Sequence, residues 1–286
     1  MTTSSLDAVT SAISTLVIDE EGLPAPDAFA LLGTGLGALP GNLTDERRLS
    51  LSQLDGIPKT WRGSELIAGR IGDLQLWLLE DAPTHASWTG GDPDTEAWER
   101  AWPIWLATAC GASLGIVTAA GVGLGPRDGP PAVGDLIAVT DHLNVSGSTP
   151  LRGLGESRLG PLFPDSTLIH HETLRIRAKE RARSRGIGLE PGIAACVTGP
   201  SLTTPAELAW LRTTGANVAV QGLADPLIAA AHAGLGLLTI VAVTDSGEEP
   251  LRMHELVERA EACAPALEEL IVHVAADMSE LIKDAE

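Results

Sequence analysis

An α/β fold is what the 286-residue sequence predicts: a mainly parallel or mixed twisted sheet flanked by helices, in a single domain over residues 1–286. Three observations lead there. Short apolar runs alternate with helical segments along most of the chain. Those runs are nearly continuous in Leu, Ile, Val and Ala, as strands covered on both faces require. Gly (31) and Pro (19) are spread between the runs, where many short connections need them. Hydrophobic residues make up 44% of the chain, enough for a large core, and with no Tyr that core is expected to be aliphatic.

The elements follow in order. Leu6 to Ile18 has helical apolar spacing behind Ser4 and Ser5. Ala28 to Leu32 is a buried strand running into Gly33-Thr34-Gly35-Leu36-Gly37. Ser64 to Ala68 and Leu74 to Leu79 are strands joined by a hairpin-like turn over Gly69 to Asp73. Glu80 to Asp94 reads as loop, Thr95 to Cys110 as helix, and Leu114 to Ala120 as a buried strand ending at Gly121-Val122-Gly123. Leu136 to Thr140 is a strand, and an irregular stretch runs on to about Thr167. Then come helix Glu172 to Arg185, strand Gly192 to Val197 and helix Thr204 to Thr213. Strand Val218 to Gln221, helix Pro226 to Ala233 and strand Leu237 to Thr244 precede a long amphipathic helix or helix pair, about Arg252 to Lys283. In such sheets ligands bind beyond the carboxyl ends of the strands. The candidate site is therefore Thr34, Ala119 to Gly121, Thr198 to Thr204, Gln221 to Ala224 and Thr244 to Ser246.

Charge narrows the partners. With 38 acidic against 19 basic residues the formal net charge is −19, which repels nucleic acid and anionic membranes. The arginines between Arg175 and Arg185 read as a solvated helix face. Cys110, Cys196 and Cys263 are far apart and sit in apolar stretches, as buried reduced thiols do. The N-terminus lacks the basic and apolar regions of a signal peptide, and no apolar run reaches membrane-spanning length, so a cytoplasmic protein is expected. None of the seven histidines stands in a zinc-ligand spacing, so no metal is expected, and no G-x-S-x-G elbow is present.

Gly33-Thr34-Gly35-Leu36-Gly37 follows a strand and can form an anion-binding nest, but it is not a dinucleotide fingerprint, and a plain tight turn is the other reading. The order of motifs is more specific than any one of them. That loop resembles the G-S/T-G-L-G phosphate loop of the trimeric purine nucleoside phosphorylase and methylthioadenosine phosphorylase family. Val117 to Leu124 resembles the family's V-T-N-A-A-G-G-L. Val133-Gly134-Asp135 with Asp141-His142-Leu143-Asn144 matches V-G-D and D-H-I-N, and Pro150 to Gly153 with Phe163-Pro164 matches P-L-x-G and F-P. Gly199 to Glu207 resembles G-P-x-F-E-T-x-A-E.

The resemblance implies a homotrimeric pentosyltransferase with its site near the subunit interface. Its ligand is a purine nucleoside or base, its co-substrate inorganic phosphate, and it needs no cofactor. It also exposes departures. The P-G-H-x-G-R loop is replaced by Arg62 to Glu65, the phosphate-binding arginine is absent near Asp81 to His85, and only His85 persists there. Ala119 replaces an asparagine, Leu202 the purine-stacking aromatic, and Thr203 the following acid. Gln221 and Gly222 replace a methionine and a phosphate-binding hydroxyl. Asp245 stands where adenine-using members carry T-D rather than T-N, and His254 where a histidine lies near the ribose 5′-OH. The implied roles are Asp245 on the base, Leu202 and Thr203 lining its pocket, His254 near the sugar, and Thr34, Ala120 and His85 around an anion; the other reading of Asp245 is a strand-end or helix-capping carboxylate. The expected function is a divergent phosphorylase preferring 6-aminopurines with a weakened phosphate site. Its rivals are a repurposed purine binder and a nucleoside hydrolase. The segment from Ala86 to Trp105, rich in tryptophan, is the expected subunit interface.

Overall fold

The computed structural model describes residues 5–33, 35–80, 96–125, 131–247 and 252–285. At its centre β1 (Ala28–Leu32) runs parallel to β4 (Leu74–Glu80) on one side and to β5 (Leu114–Gly123) on the other. Antiparallel β3 (Glu65–Ile71) and β2 (Thr44–Ser50) extend the sheet beyond β4. Past β5 the order is β9 (Gly236–Asp245), parallel to β5, then β6 (Leu136–Asn144), antiparallel to β9. β7 (Leu189–Val197) and β8 (Val218–Gln221) follow in parallel. β8 then returns antiparallel to the end of β5 through Val122–Ala219 and Gly123–Val218, so that five strands close a ring. The sheet is mixed, as the sequence allowed.

Each strand of the open part feeds two cores. Phe29, Leu31, Trp77 and Leu79 face the layer of α1 (Ser5–Thr15), α2 (Trp102–Ala109) and α5 (Ala224–Ala233). Ala28, Ala30, Leu32, Leu76 and Leu78 face α3 (Glu172–Ser184) and α6 (Met253–Ala285). The period-2 alternation survives, but both sides are apolar, hence the continuous runs. α4 (Pro205–Thr213) covers the ring through Leu208 and Leu211.

Three expectations are corrected. β2 was not foreseen because Thr-Asp-Glu-Arg-Arg carries no apolar period. It is an exposed edge strand, where charge blocks pairing with another chain. The core is not purely aliphatic: Trp61, Trp77, Trp98, Trp102 and Trp105 are all buried in the same layer. Four of their indole N–H groups find acceptors: Trp61 on the Glu99 carbonyl, Trp77 on the Pro24 carbonyl, Trp98 on Glu96 and Trp105 on His232 Nδ1. Trp98, Trp102 and Trp105 therefore need no partner subunit to cover them. Lastly, the arginine face of α3 is not simply solvated. Arg181 holds the buried Asp277 of α6 bidentately at 2.9 and 2.8 Å, and Arg177 and Arg185 pair with Glu280 and Glu269.

The three cysteines are free and buried, as expected, and burial pushes the Cys110 and Cys196 thiols up to about 12. Where β6 meets the chain entering α3, His142 Nδ1 lies 3.2 Å from His170 Nε2. Burial, then the neighbouring His142, pulls His170 down to about 4, and burial also lowers His142. Both are depressed from an ordinary value near 6.5, so as pH falls the unfolded chain takes up these protons first. Stability from His170 is thus present above about pH 6.5 and lost as pH falls towards 4. Denaturant midpoints measured from pH 7.5 to 4 should fall less steeply for His170→Gln than for the parent; equal slopes would remove His170 as a contributor.

Candidate functional site

Two close approaches shape the first wall. The Gly33 N–H donates to Thr118 Oγ1 at 2.8 Å, and a Cβ on Gly33 would sit 2.9 Å from the Thr118 carbonyl oxygen. Gly35 adopts φ +103°, and a Cβ there would lie 3.3 Å from the backbone of Ala260 and Glu261 in α6. Glycine is required on both counts, because the loop is clamped between β5 and α6. Thr34 and His85 lie outside the described residues.

Ala119 and Ala120 stand inside β5, paired with Val241 and Ala242, rather than beyond a strand end. The expectation that all carboxyl ends gather at one edge fails because β8 opposes β5. Its antiparallel register carries Gln221 and Gly222 back along β5 towards these alanines. Gln221 Nε2 donates to the Ser201 carbonyl at 2.8 Å and so ties β8 to the loop that holds Leu202 and Thr203. That loop is fixed at its other end by a capping box. Thr204 Oγ1 accepts from the Glu207 N–H, and the Thr204 N–H donates to Glu207 Oε2 at 2.7 Å. The bonds from Thr204, backbone first, hold the Glu207 carboxyl below its ordinary range.

Two cavities meet here, sharing Val197 and Thr198. One, about 190 Å³, is lined by Leu202, Thr203, Glu207 and the exposed Trp210. The other, about 140 Å³, is lined by Gly222 with Arg100, Ser146, Ser148 and Asp225. In the second, Arg100 Nε donates to Asp225 Oδ2 at 2.7 Å, Arg100 Nη2 to Ser148 Oγ at 3.2 Å, and Ser148 Oγ to Asp225 Oδ1 at 2.7 Å. These three residues were missed. They come from segments 125 and 77 residues apart and carry no local motif.

Asp245 ends β9 opposite Val122, buried at 8% exposure. Its Oδ1 accepts from the Gly247 N–H at 2.8 Å, so the carboxylate caps its own turn. Arg259 Nη1 donates to the Thr244 carbonyl at 3.2 Å and joins α6 to this strand end. His254 is exposed in the first turn of α6. Among the described residues neither Asp245 nor His254 lines either cavity. The fold thus brings Ala119, Ala120, Leu202, Thr203, Gln221 and Gly222 together, with Asp245 farther along β5 and His254 apart.

Asp141, His142 and His170 place three donor atoms within 4.8 Å of one another, a grouping that local spacing could not reveal. The two rings meet edge to face with Nδ1 and Nε2 at 3.2 Å, the geometry of an imidazole–imidazole hydrogen bond. No helix among the described residues is long and apolar enough to cross a membrane.

Known proteins share this architecture. The family model described as "Phosphorylase superfamily" matches residues 101–276. Purine nucleoside phosphorylase 1 of Bacillus subtilis is 30% identical over 250 residues, covering 85% of this chain and 89% of its own. The purine nucleoside phosphorylase of Mycobacterium tuberculosis is 30% identical over 269 residues, covering 91% and 93%. A Schistosoma purine nucleoside phosphorylase solved with hypoxanthine superposes with a TM-score of 0.82 at 21% identity, covering 96% of this chain and 98% of that one. The matched segment carries β5 through most of α6, and with it the Leu202 cavity, most of the lining of the Gly222 cavity and the strand end at Asp245, while Leu31 and Arg100 lie outside it. With relatives 30% identical over most of its length, this chain belongs to the purine nucleoside phosphorylase family of the phosphorylase superfamily.

Proposed function

We propose that this protein is a pentosyltransferase acting on purine nucleosides, with 6-aminopurines preferred and a weak phosphate site, and that it works as a homotrimer. The observation that carries the reading is Asp245: a buried carboxylate at the end of β9, one oxygen held by the Gly247 N–H. Its other oxygen is an acceptor for an adenine 6-amino group. In phosphorolysis a phosphate oxygen bonds to C1′ as the C1′–N9 bond breaks, and the electron pair leaves with the purine, which a proton at N7 stabilises. Leu202 and Thr203 line the base side, Gly222 and Ala120 the anion side, and His254, exposed at the start of α6, is assigned to the sugar by the family resemblance alone. Solved relatives support accommodation of either base type: Schistosoma purine nucleoside phosphorylases have been crystallised with hypoxanthine, guanosine and adenosine.

The second reading, hydrolysis by water, draws support from the same cavity, where the Arg100 charge is already taken by Asp225. An anion facing neutral hydroxyls lacks the charged fork that a free arginine provides. Loss of such contacts costs roughly 10²–10⁴ in rate.

Phosphorolysis of inosine and guanosine should accordingly be slow. Turnover near the common enzyme value of about 10 s⁻¹, with hypoxanthine release dependent on phosphate, would overturn the weak-site reading. Release that is independent of phosphate would favour the hydrolase.

Asp245→Asn should weaken adenosine binding and improve inosine relative to it, because an amide can donate to O6 where a carboxylate cannot. One buried polar group left unpaired costs roughly 1–3 kcal/mol, so the preference should move about five- to a hundredfold. Calorimetry with both nucleosides checks this. An unchanged ratio would leave Asp245 as a turn cap alone.

A further inference from the structure

We propose that Arg100 is the cationic contact for inorganic phosphate in this protein, and that Asp225 is a resident counter-ion that keeps the contact weak. The inference rests on the reading of the Gly222 cavity as the anion side of the site. Arg100 belongs to the 3₁₀ turn Ala97–Ala101, which buried Trp98 anchors and which Trp61 grips through the Glu99 carbonyl. The guanidinium is therefore delivered from a fixed backbone. Its Nε and Nη2 edge is spent on Asp225 and Ser148, and both oxygens of Asp225 are filled by that pair. Nη1 has no hydrogen-bond partner among the described residues. Beside it the cavity offers the side chain of Thr198 and the bare backbone of Gly222, while the Ser146 hydroxyl is already spent on Asn144 Oδ1 at 2.7 Å.

The charge count explains the weakness. Arg100 and Asp225 sit 2.7 Å apart, and their charges sum to zero. A phosphate dianion entering the cavity meets an oriented donor but also a carboxylate of its own sign. An unpaired guanidinium would present a charged, bidentate fork instead. Arg100 lies beyond the segment in which the related motif keeps its arginine, so the cation has moved in sequence and been partly neutralised in space.

The test is calorimetric titration of inorganic phosphate, and separately of adenosine, into the parent protein, Arg100→Gln and Asp225→Asn, with circular dichroism to confirm folding. Arg100→Gln should weaken phosphate by at least about tenfold, and Asp225→Asn should strengthen it by about tenfold, a change of roughly 1.4 kcal/mol each way. Adenosine affinity should stay within about twofold in both. Phosphate affinity unmoved by either substitution would overturn the proposal and leave the pair as a structural tie. If Asp225→Asn does not fold, Arg100→Gln together with Arg100→Lys decides: the lysine variant must bind phosphate better than the glutamine one, and equal binding overturns the proposal. Absence of adenosine binding in the parent would sink the nucleoside reading by itself, while the phosphate series would still judge Arg100.

Discussion

Strand β5 bonds to β1, β9 and β8, and its neighbours crowd it at three places where it carries glycine. A Cβ on Gly115 would lie 2.7 Å from Leu237, one on Gly121 2.6 Å from Val218, and one on Gly123 2.7 Å from the Pro131 carbonyl oxygen. Gly121 and Gly123 sit where β8 crosses back to close the ring. A side chain on Gly121 would push β8 outward, and Gln221 and Gly222 would lose their position beside Ala119 and Ala120. The same strand receives the glycine loop through Thr118. Closure of the ring and assembly of the site are therefore one steric event.

Positive charge is scarce in this chain and is used inside the fold. Arg181 is spent on Asp277, Arg100 on Asp225, and Arg259 on the carbonyl of Thr244. Asp277 and Asp225 are buried and would be costly without their partners. With a net charge of −19 overall, no field draws anions towards the protein, and any anion it holds must be won by local geometry.

Most of the fold was legible because its signals are local. β1 and β8 fall within the expected residues, since each is a short apolar run between turn residues. The cap of α4 was legible for the same reason: Thr204 and Glu207 are three residues apart and satisfy each other. Edge strand β2 was not, because charged edges hide their pairing from any apolar period. The site was legible only where motifs lie along one segment, as with Leu202, Thr203, Gln221 and Gly222. The Arg100–Ser148–Asp225 network was invisible because it is made by three segments that meet only in the folded chain. Asp141 and His142 meeting His170 failed to register for the same reason. The tryptophan-rich segment suggested a subunit interface, whereas Trp98, Trp102 and Trp105 prove to be buried in one core layer of the chain itself.

α6 touches the two walls of the site at once. The backbone at Ala260 fills the space a Gly35 side chain would need, and the next residue back, Arg259, holds the carbonyl at the end of β9. A single turn of helix is thus the hinge pin between the glycine loop and the strand that ends in Asp245. Shifting that turn cannot move one wall and spare the other.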